Sequence, residues 1–438
     1  MSIGFYKKEI TLRQLTPMVH FQGDQEGACL RAPEVKPKLD KFALGWLARQ
    51  GVDKNRLPAG WANEDGKGWT SLRYQLRFRA EGENCWPADK PAHPFLYFAG
   101  SIGSEAKGVF YPDGVTVTVL DLLKTRLETP VKLPNGGESG CLGEIIHALL
   151  PAFFALHCFG ARSNKGFGSF EVAGEEVDVE TLDRLKPEGV VSIYQLESDL
   201  RTYGPEDRLD DVYVLSALMK GGVTRPAYVK GAIQKFSIGK GVGTEKAYLK
   251  QKVFTKDDLE WYRDTVCQGK GRTTQGSYER YWFIRAMLGL VDGYAYGVGK
   301  DKKRVFGVKA VQEEIERFGN PVHFHPFTGG LRILVHEIPE VMYGAAFQFE
   351  NESQPDAGYI ISTPNRDEFD LDGFVRDFLR PLAGGVLPED WDRLSTGEIR
   401  VNAGRKDREG VYHPGKYKRT LQIEQTLRKL RLTYGGEA

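Results

Sequence analysis

Cysteine is scarce: there are five in 438 residues, Cys29, Cys85, Cys141, Cys158 and Cys267, far apart and with no CxxC pair. An odd, scattered set argues against a disulfide-stapled scaffold and a cysteine zinc site, and suits free thiols in a reducing compartment. Long apolar runs are missing as well. The most apolar stretch, Ile145 to Cys158, contains His147, Pro151 and His157. It is shorter than the ~20 residues that span a bilayer and reads as a buried helix. The opening MSIGFYKKEI has no apolar h-region, so no secretory leader is expected. Nor is there a surplus of charge, because 60 Lys and Arg stand against 59 Asp and Glu. A uniformly basic, histone-like protein is excluded. What remains is a soluble, cytoplasmic protein with 41% hydrophobic residues, ample for a core. At about 150 residues per domain, its length suggests two or three domains.

The balanced total hides two blocks of opposite sign. Glu171 to Asp211 holds 13 acidic and 4 basic residues, a net of −9, and Arg225 to Lys309 holds 18 basic and 8 acidic, a net of +10. A basic stripe attracts phosphates whatever the whole-molecule charge, although the two blocks can also pair with each other. The acidic stretch, with Pro187 and Gly189 inside it, also reads as a boundary. It divides the chain into units of residues 5–198 and 205–438.

Within the first unit the pattern alternates between strands and helices. Ile10 to Met18 is strand-like. Leu72, Tyr74, Leu76 and Phe78 face one way while Arg73, Gln75, Arg77 and Arg79 face the other, and Val115, Val117 and Val119 alternate with threonines. Gly143 to Phe159 is apolar nearly all round, as in a helix buried in a core. Strands with about two helices suggest a sheet covered on one face. A repeat search aligns RAPEVKPKLDKF (31–42) with RPAYVKGAIQKF (225–236). Arg31, Val35, Lys36, Lys41 and Phe42 match Arg225, Val229, Lys230, Lys235 and Phe236. This predicts a duplicated α+β module whose first helix carries lysines off its apolar stripe.

The segment FGARSNKGFGSF (159–170) joins the buried helix to a following strand. Gly160, Gly166 and Gly168 permit positive φ and close approach of a ligand, and successive N–H groups in such a turn can form an anion-binding nest. Arg162 and Lys165 add positive charge. No GK[ST] follows, so it is not a Walker loop, and its helix-to-strand order is the reverse of a dinucleotide fingerprint.

The segment GARSNKGFGSF resembles the glycine-rich loop of the RAMP superfamily of CRISPR-associated proteins, which lies before the last strand of a ferredoxin-like module. The opening LTPMVHFQGDQEGACLRAPEVKPKLDKF resembles that superfamily's first strand, loop and Lys-bearing helix. RFGNPVHFHPFTGGLRILVH (317–336) resembles a late strand region of the tandem-module RAMP subunit of Cmr-type, type III effector complexes. The departure is the second module. After an expected helix Tyr278 to Val291, GYAYGVGKDKKRVFG stands where a second glycine-rich loop belongs.

The resemblance implies two tandem ferredoxin-like (RRM-like) modules and RNA binding by backbone contacts, because guide bases vary and phosphates do not. It implies CRISPR guide RNA, with target RNA, and neighbouring RAMP subunits as partners in antiviral defence. Carried over by position, the RNA-binding candidates are Lys36 and Lys38 on the first helix and Gly160, Arg162, Lys165, Gly166 and Gly168 in the loop. The repeat adds Arg31, Arg225, Lys230 and Lys235. Arg73, Arg77 and Arg79 either extend that track or guard a strand edge.

An alternative is a metal-independent endoribonuclease that processes the guide precursor, resting on His20 beside Thr16-Pro17 and on Asp24. A third is an assembly scaffold whose basic face meets protein. His323 and His325 point the same way on a strand, with His336 further on, but no acidic ligand stands at a telling spacing and no metal is expected. No cofactor is expected either. Trp46, Trp61, Trp69 and Trp86 lie among basic residues that suit base stacking, yet tryptophans of this kind read first as core anchors.

Overall fold

The computed structural model describes residues 6–20, 29–64, 70–85, 107–198, 205–222, 229–261, 264, 278–298, 302–315, 317–351 and 354–383. It also describes the strands Ile399–Asn402, Arg405–Lys406, Tyr412–His413, Lys418–Leu421 and Leu430–Tyr434. The chain is a mixed α/β protein with several small, mainly antiparallel sheets and eight α-helices among the described residues.

Period-two patterning builds the first sheet. In Val115–Asp121 the valines are buried and the intervening threonines half-buried. This strand pairs antiparallel with Tyr6–Gln14 on one side and Gln75–Ala80 on the other. Phe170–Val172 adds to the free side of Tyr6–Gln14. As the alternation predicts, Tyr74 and Leu76 are buried while Arg73, Arg77 and Arg79 are exposed.

Two long helices pack against this sheet. The first, α1 (Ala32–Arg49), begins with proline in its first turn, where no N–H is needed. It buries Val35, Leu39, Phe42, Ala43, Trp46 and Leu47. The second, α2 (Leu142–Leu156), is buried on nearly every side between the sheet, α1 and the short α3 (Val179–Leu185). That explains its unbroken apolar sequence, since each large side chain withdrawn from water contributes about 1.5–3 kcal/mol.

The second sheet repeats the strand order of the first. Val190–Ser198 lies between Leu430–Tyr434 and Gly330–His336, and Val322–Phe327 flanks the latter, all antiparallel. In each sheet the order is fourth, first, third and second strand in chain sequence. After Val190–Ser198 comes α4 (Pro205–Ser216), which packs on the 322–336 hairpin. Inserted before that hairpin are α5 (Ala232–Gly239), α6 (Glu245–Val253) and α7 (Lys256–Trp261). A third sheet is an antiparallel meander of Gly293–Gly297, Lys303–Ala310, Ala346–Asn351 and Gln354–Ser362. Helix α8 (Leu371–Ala383) precedes the last strand of the second sheet.

Three sequence expectations meet a different local structure. The segment 278–291 is not one helix: Tyr281–Trp282 is a short strand and Ile284–Leu288 a 3-10 turn ended by Gly289 at φ +97°. Its central apolar residues, Trp282, Phe283, Ile284, Ala286, Met287 and Leu288, are all buried, and such a run has no period to reveal its geometry. The repeated segments are also not equivalent. Val35 and Lys36 lie inside α1, whereas Val229 and Lys230 precede α5, and the helix that follows the first strand of the second sheet is α4. Finally, Val190–Ser198, placed by sequence at the end of the first unit, pairs wholly with strands of the second. Val190 and Ile193 pack into the first core and Tyr194 and Leu196 into the second, so this strand is the seam between the halves.

Candidate nucleic-acid interface

The glycine-rich segment leaves α2 and returns to the sheet edge at Phe170. Its shape is set by the opening strand. The Thr16 hydroxyl donates to the Gly166 carbonyl at 2.6 Å and accepts the Ser169 N–H at 3.0 Å. The Gly168 N–H donates to the Pro17 carbonyl at 2.9 Å, and the Gly168 carbonyl accepts the Phe159 N–H at 2.9 Å. Gly168 holds φ +65°, and a Cβ there would run into the Phe159 carbonyl. Gly160, at φ +78°, donates its N–H to the Glu34 carboxylate of α1 at 2.9 Å. Ala161 bridges to Val19, its N–H donating to the Val19 carbonyl at 2.9 Å. The Thr-Pro pair, the start of α1 and the loop thus form one hydrogen-bonded body.

The second half completes it. The Asn164 carbonyl accepts the Phe324 N–H at 3.1 Å, and the Ser169 hydroxyl donates to the Pro326 carbonyl at 2.6 Å. Gly166 packs against Pro326 and Val212, and Val19, Phe167 and Leu209 form a small apolar cluster beside it. None of these partners was legible locally, since all lie about 40 or more residues from the segment they hold.

The chemistry rests on Arg162 and Lys165. Arg162 has φ +59°, a backbone state that costs a non-glycine residue about 1–3 kcal/mol and persists only where the surroundings impose it. Burial lowers the pKa of its guanidinium, and burial together with the neighbouring Arg162 lowers that of Lys165. A half-buried guanidinium and an exposed ammonium thus stand close enough to repel each other at the turn of a glycine-rich loop, an arrangement that a bridging anion would relieve.

The other candidates are distributed unevenly. Lys38 is exposed on α1 with its ammonium 4.9 Å from the centre of the Phe159 ring. Arg31 is exposed at the start of α1. Lys36 is turned inward: its ammonium lies 2.7 Å from Asp40, donates to the Leu72 carbonyl at 2.6 Å, and sits 4.4 Å over the Tyr74 ring. Lys230 and Lys235 are half-buried before and within α5. Arg225 and Asp24 lie outside the described residues, as do Trp69 and Trp86. His20 ends the strand Met18–His20, opposite Lys107, and only its backbone is described. Trp46 and Trp61 are core residues, with the Trp61 indole donating to the Thr125 carbonyl at 3.1 Å.

A cation that the sequence did not single out joins the loop. Lys220 donates to the carbonyls of Leu288 and Gly289, both at 2.7 Å. Burial, with repulsion from Arg285 and Lys165, pushes its pKa down to about 7. Its only sequence signal was a lysine between the apolar ALM and a Gly-Gly pair.

Much of the basic block is neutralised internally. Arg285 pairs with Glu245, Arg304 and Lys302 with Asp258, Lys309 with Glu350, and Arg280 with Glu368. The acidic block is likewise engaged: Glu171 contacts Arg13 and Thr328, and Asp178 caps α3. His323, His325 and His336 gather with His157 where α2 meets the second sheet, the rings of His323 and His336 being 4.1 Å apart. Among the described residues no group of three or more His, Cys, Asp and Glu is placed to hold a metal.

Among the described residues no helix is long and apolar enough to cross a membrane. Comparison with curated proteins and with solved structures gave no match. Family models match along most of the chain, the Cmr1 N-terminal domain over residues 5–223 and the Cmr1 C-terminal domain over residues 228–383. The Thr-Pro strand, the glycine-rich loop and the late hairpin that clamps it therefore belong to a member of the Cmr1 family, RAMP-type subunits of type III CRISPR effector complexes.

Proposed function

We propose that this subunit grips guide RNA, or the guide–target duplex, by phosphate contacts at the glycine-rich loop. The observation that carries the reading is the pair Arg162 and Lys165, half-buried and exposed respectively, presented on a loop fixed from both halves of the chain. Phosphate contacts suit a ligand whose bases vary. Lys38 and Arg31 extend the positive surface along α1. Each sheet's strand order, with helices between its first and second and between its third and fourth strands, favours two ferredoxin-like modules. The division then falls near Pro187–Gly189, ahead of the strand that opens the second sheet. Other RAMP subunits flank it in a cytoplasmic complex.

The test is RNA binding by Arg162→Ala combined with Lys165→Ala, measured by fluorescence anisotropy over a range of salt with an RNA carrying a CRISPR repeat. Loss of two contacts to single-stranded phosphates should flatten the slope of log affinity against log salt by about 1.4. Unchanged affinity and slope would overturn the proposal. The same RNA on a denaturing gel should stay intact in chelator, and a discrete cut would make the protein a processing nuclease.

A further inference from the structure

Away from the loop, α6, Tyr281–Trp282 and the end of Gln354–Ser362 enclose a half-open cavity of about 460 Å³. We propose that it takes one unstacked nucleobase from a bound RNA strand, an inference that rests on the RNA-binding reading above.

The cavity's walls are aromatic and held in place. The rings of Tyr248 and Tyr281 lie 5.2 Å apart, edge to face, and the Tyr281 hydroxyl donates to Gln251 at 2.8 Å while accepting the Tyr278 N–H at 3.2 Å. Trp282 is buried beside them. Ile360, at the mouth, is 60% exposed, an apolar side chain that the core does not use. Aromatic surfaces of this kind stack bases, at about 1–3 kcal/mol each.

The polar wall selects against a bare phosphate. Glu368 is paired with Arg280 at 2.6 Å and accepts the Asn365 N–H at 2.9 Å, so the wall bears a neutralised ion pair rather than free positive charge. The exposed Asn365 side chain gives one amide hydrogen to Glu368 and keeps its second N–H and its carbonyl, a donor and an acceptor of the kind a nucleobase edge presents. A cation stands at the rim instead. Lys252 is exposed with its ammonium 5.9 Å from the centre of the Tyr248 ring, a position suited to a phosphate flanking an inserted base.

The experiment uses the full chain and an unstructured RNA of about fifteen nucleotides with one abasic residue walked along it. Affinity should fall about tenfold at one or two adjacent registers, as loss of one stacked base requires. Tyr248→Ala or Asn365→Ala should lower affinity for intact RNA and erase that dip. A flat profile from protein that binds RNA overturns the pocket and leaves the loop reading standing. If the protein binds no RNA, the loop reading fails, and adenosine and uridine then test the pocket alone by saturation-transfer NMR. Transfer to base protons that Asn365→Ala abolishes supports the proposal, and absence of transfer overturns it.

Discussion

Gly168 shows how one position can fix a loop. Its φ of +65° is costly for any side chain, and a Cβ would meet the Phe159 carbonyl, which is backbone and cannot swing aside. Gly168→Ala should lower stability by about 2 kcal/mol or more in chemical denaturation. Gly45 is the control, being exposed in the middle of α1 with open space where a Cβ would stand. Gly45→Ala should gain about 0.5–1 kcal/mol. Equal effects at the two sites would remove the case that Gly168 holds the loop in shape. The glycines and the two cations were legible because they are adjacent in sequence. The Thr16 hydroxyl was not, because a threonine ending a strand looks the same whether it faces solvent or a loop 150 residues away.

At the scale of the element, α1 shows where lysine spacing misleads. Lys36 and Asp40 are one helical turn apart, and Asp40 is fully buried, accepting the Leu72 N–H at 3.2 Å as well as the Lys36 ammonium. The pair fastens the helix to the segment leading into Gln75–Ala80. Lys36→Met would leave the Asp40 carboxylate without its cation, and should cost about 3 kcal/mol of stability with the RNA salt slope unchanged. A slope flatter by about 0.7 with stability intact would instead make Lys36 an RNA contact. Period-two strands such as Val115–Asp121 and a uniformly apolar helix such as α2 could be read from pattern alone, because burial on one face or on all faces leaves a distinct trace. The duplication also left one, but five identities aligned segments that lie differently against their helices. What the two sheets share is strand order, which depends on pairing between residues far apart in the chain.

For the whole molecule, the seam between the halves is the feature most sensitive to conditions. His157 at the end of α2 meets His323, His325 and His336 of the second sheet, with Lys38 of α1 close enough to repel His157 and His323. Burial lowers all four histidine pKa values, reinforced for all but His336 by neighbouring cations or histidines. That of His157 falls to about 4 and that of His323 to about 3. The folded protein keeps these rings neutral where the unfolded chain, with a histidine pKa near 6.5, takes up protons. Stability is therefore fully present above about pH 6.5 and is lost as pH falls towards 4, by about 1.4 kcal/mol per pH unit for each histidine that stays neutral. Between pH 6.5 and 5 few carboxylates titrate, so that window isolates the histidines. Denaturant midpoints should fall steeply across it, and His323→Gln should make the decline shallower by about one proton's worth. A flat profile from pH 7 to 5 would mean that these rings protonate as freely in the fold as outside it, and that the seam is open to water.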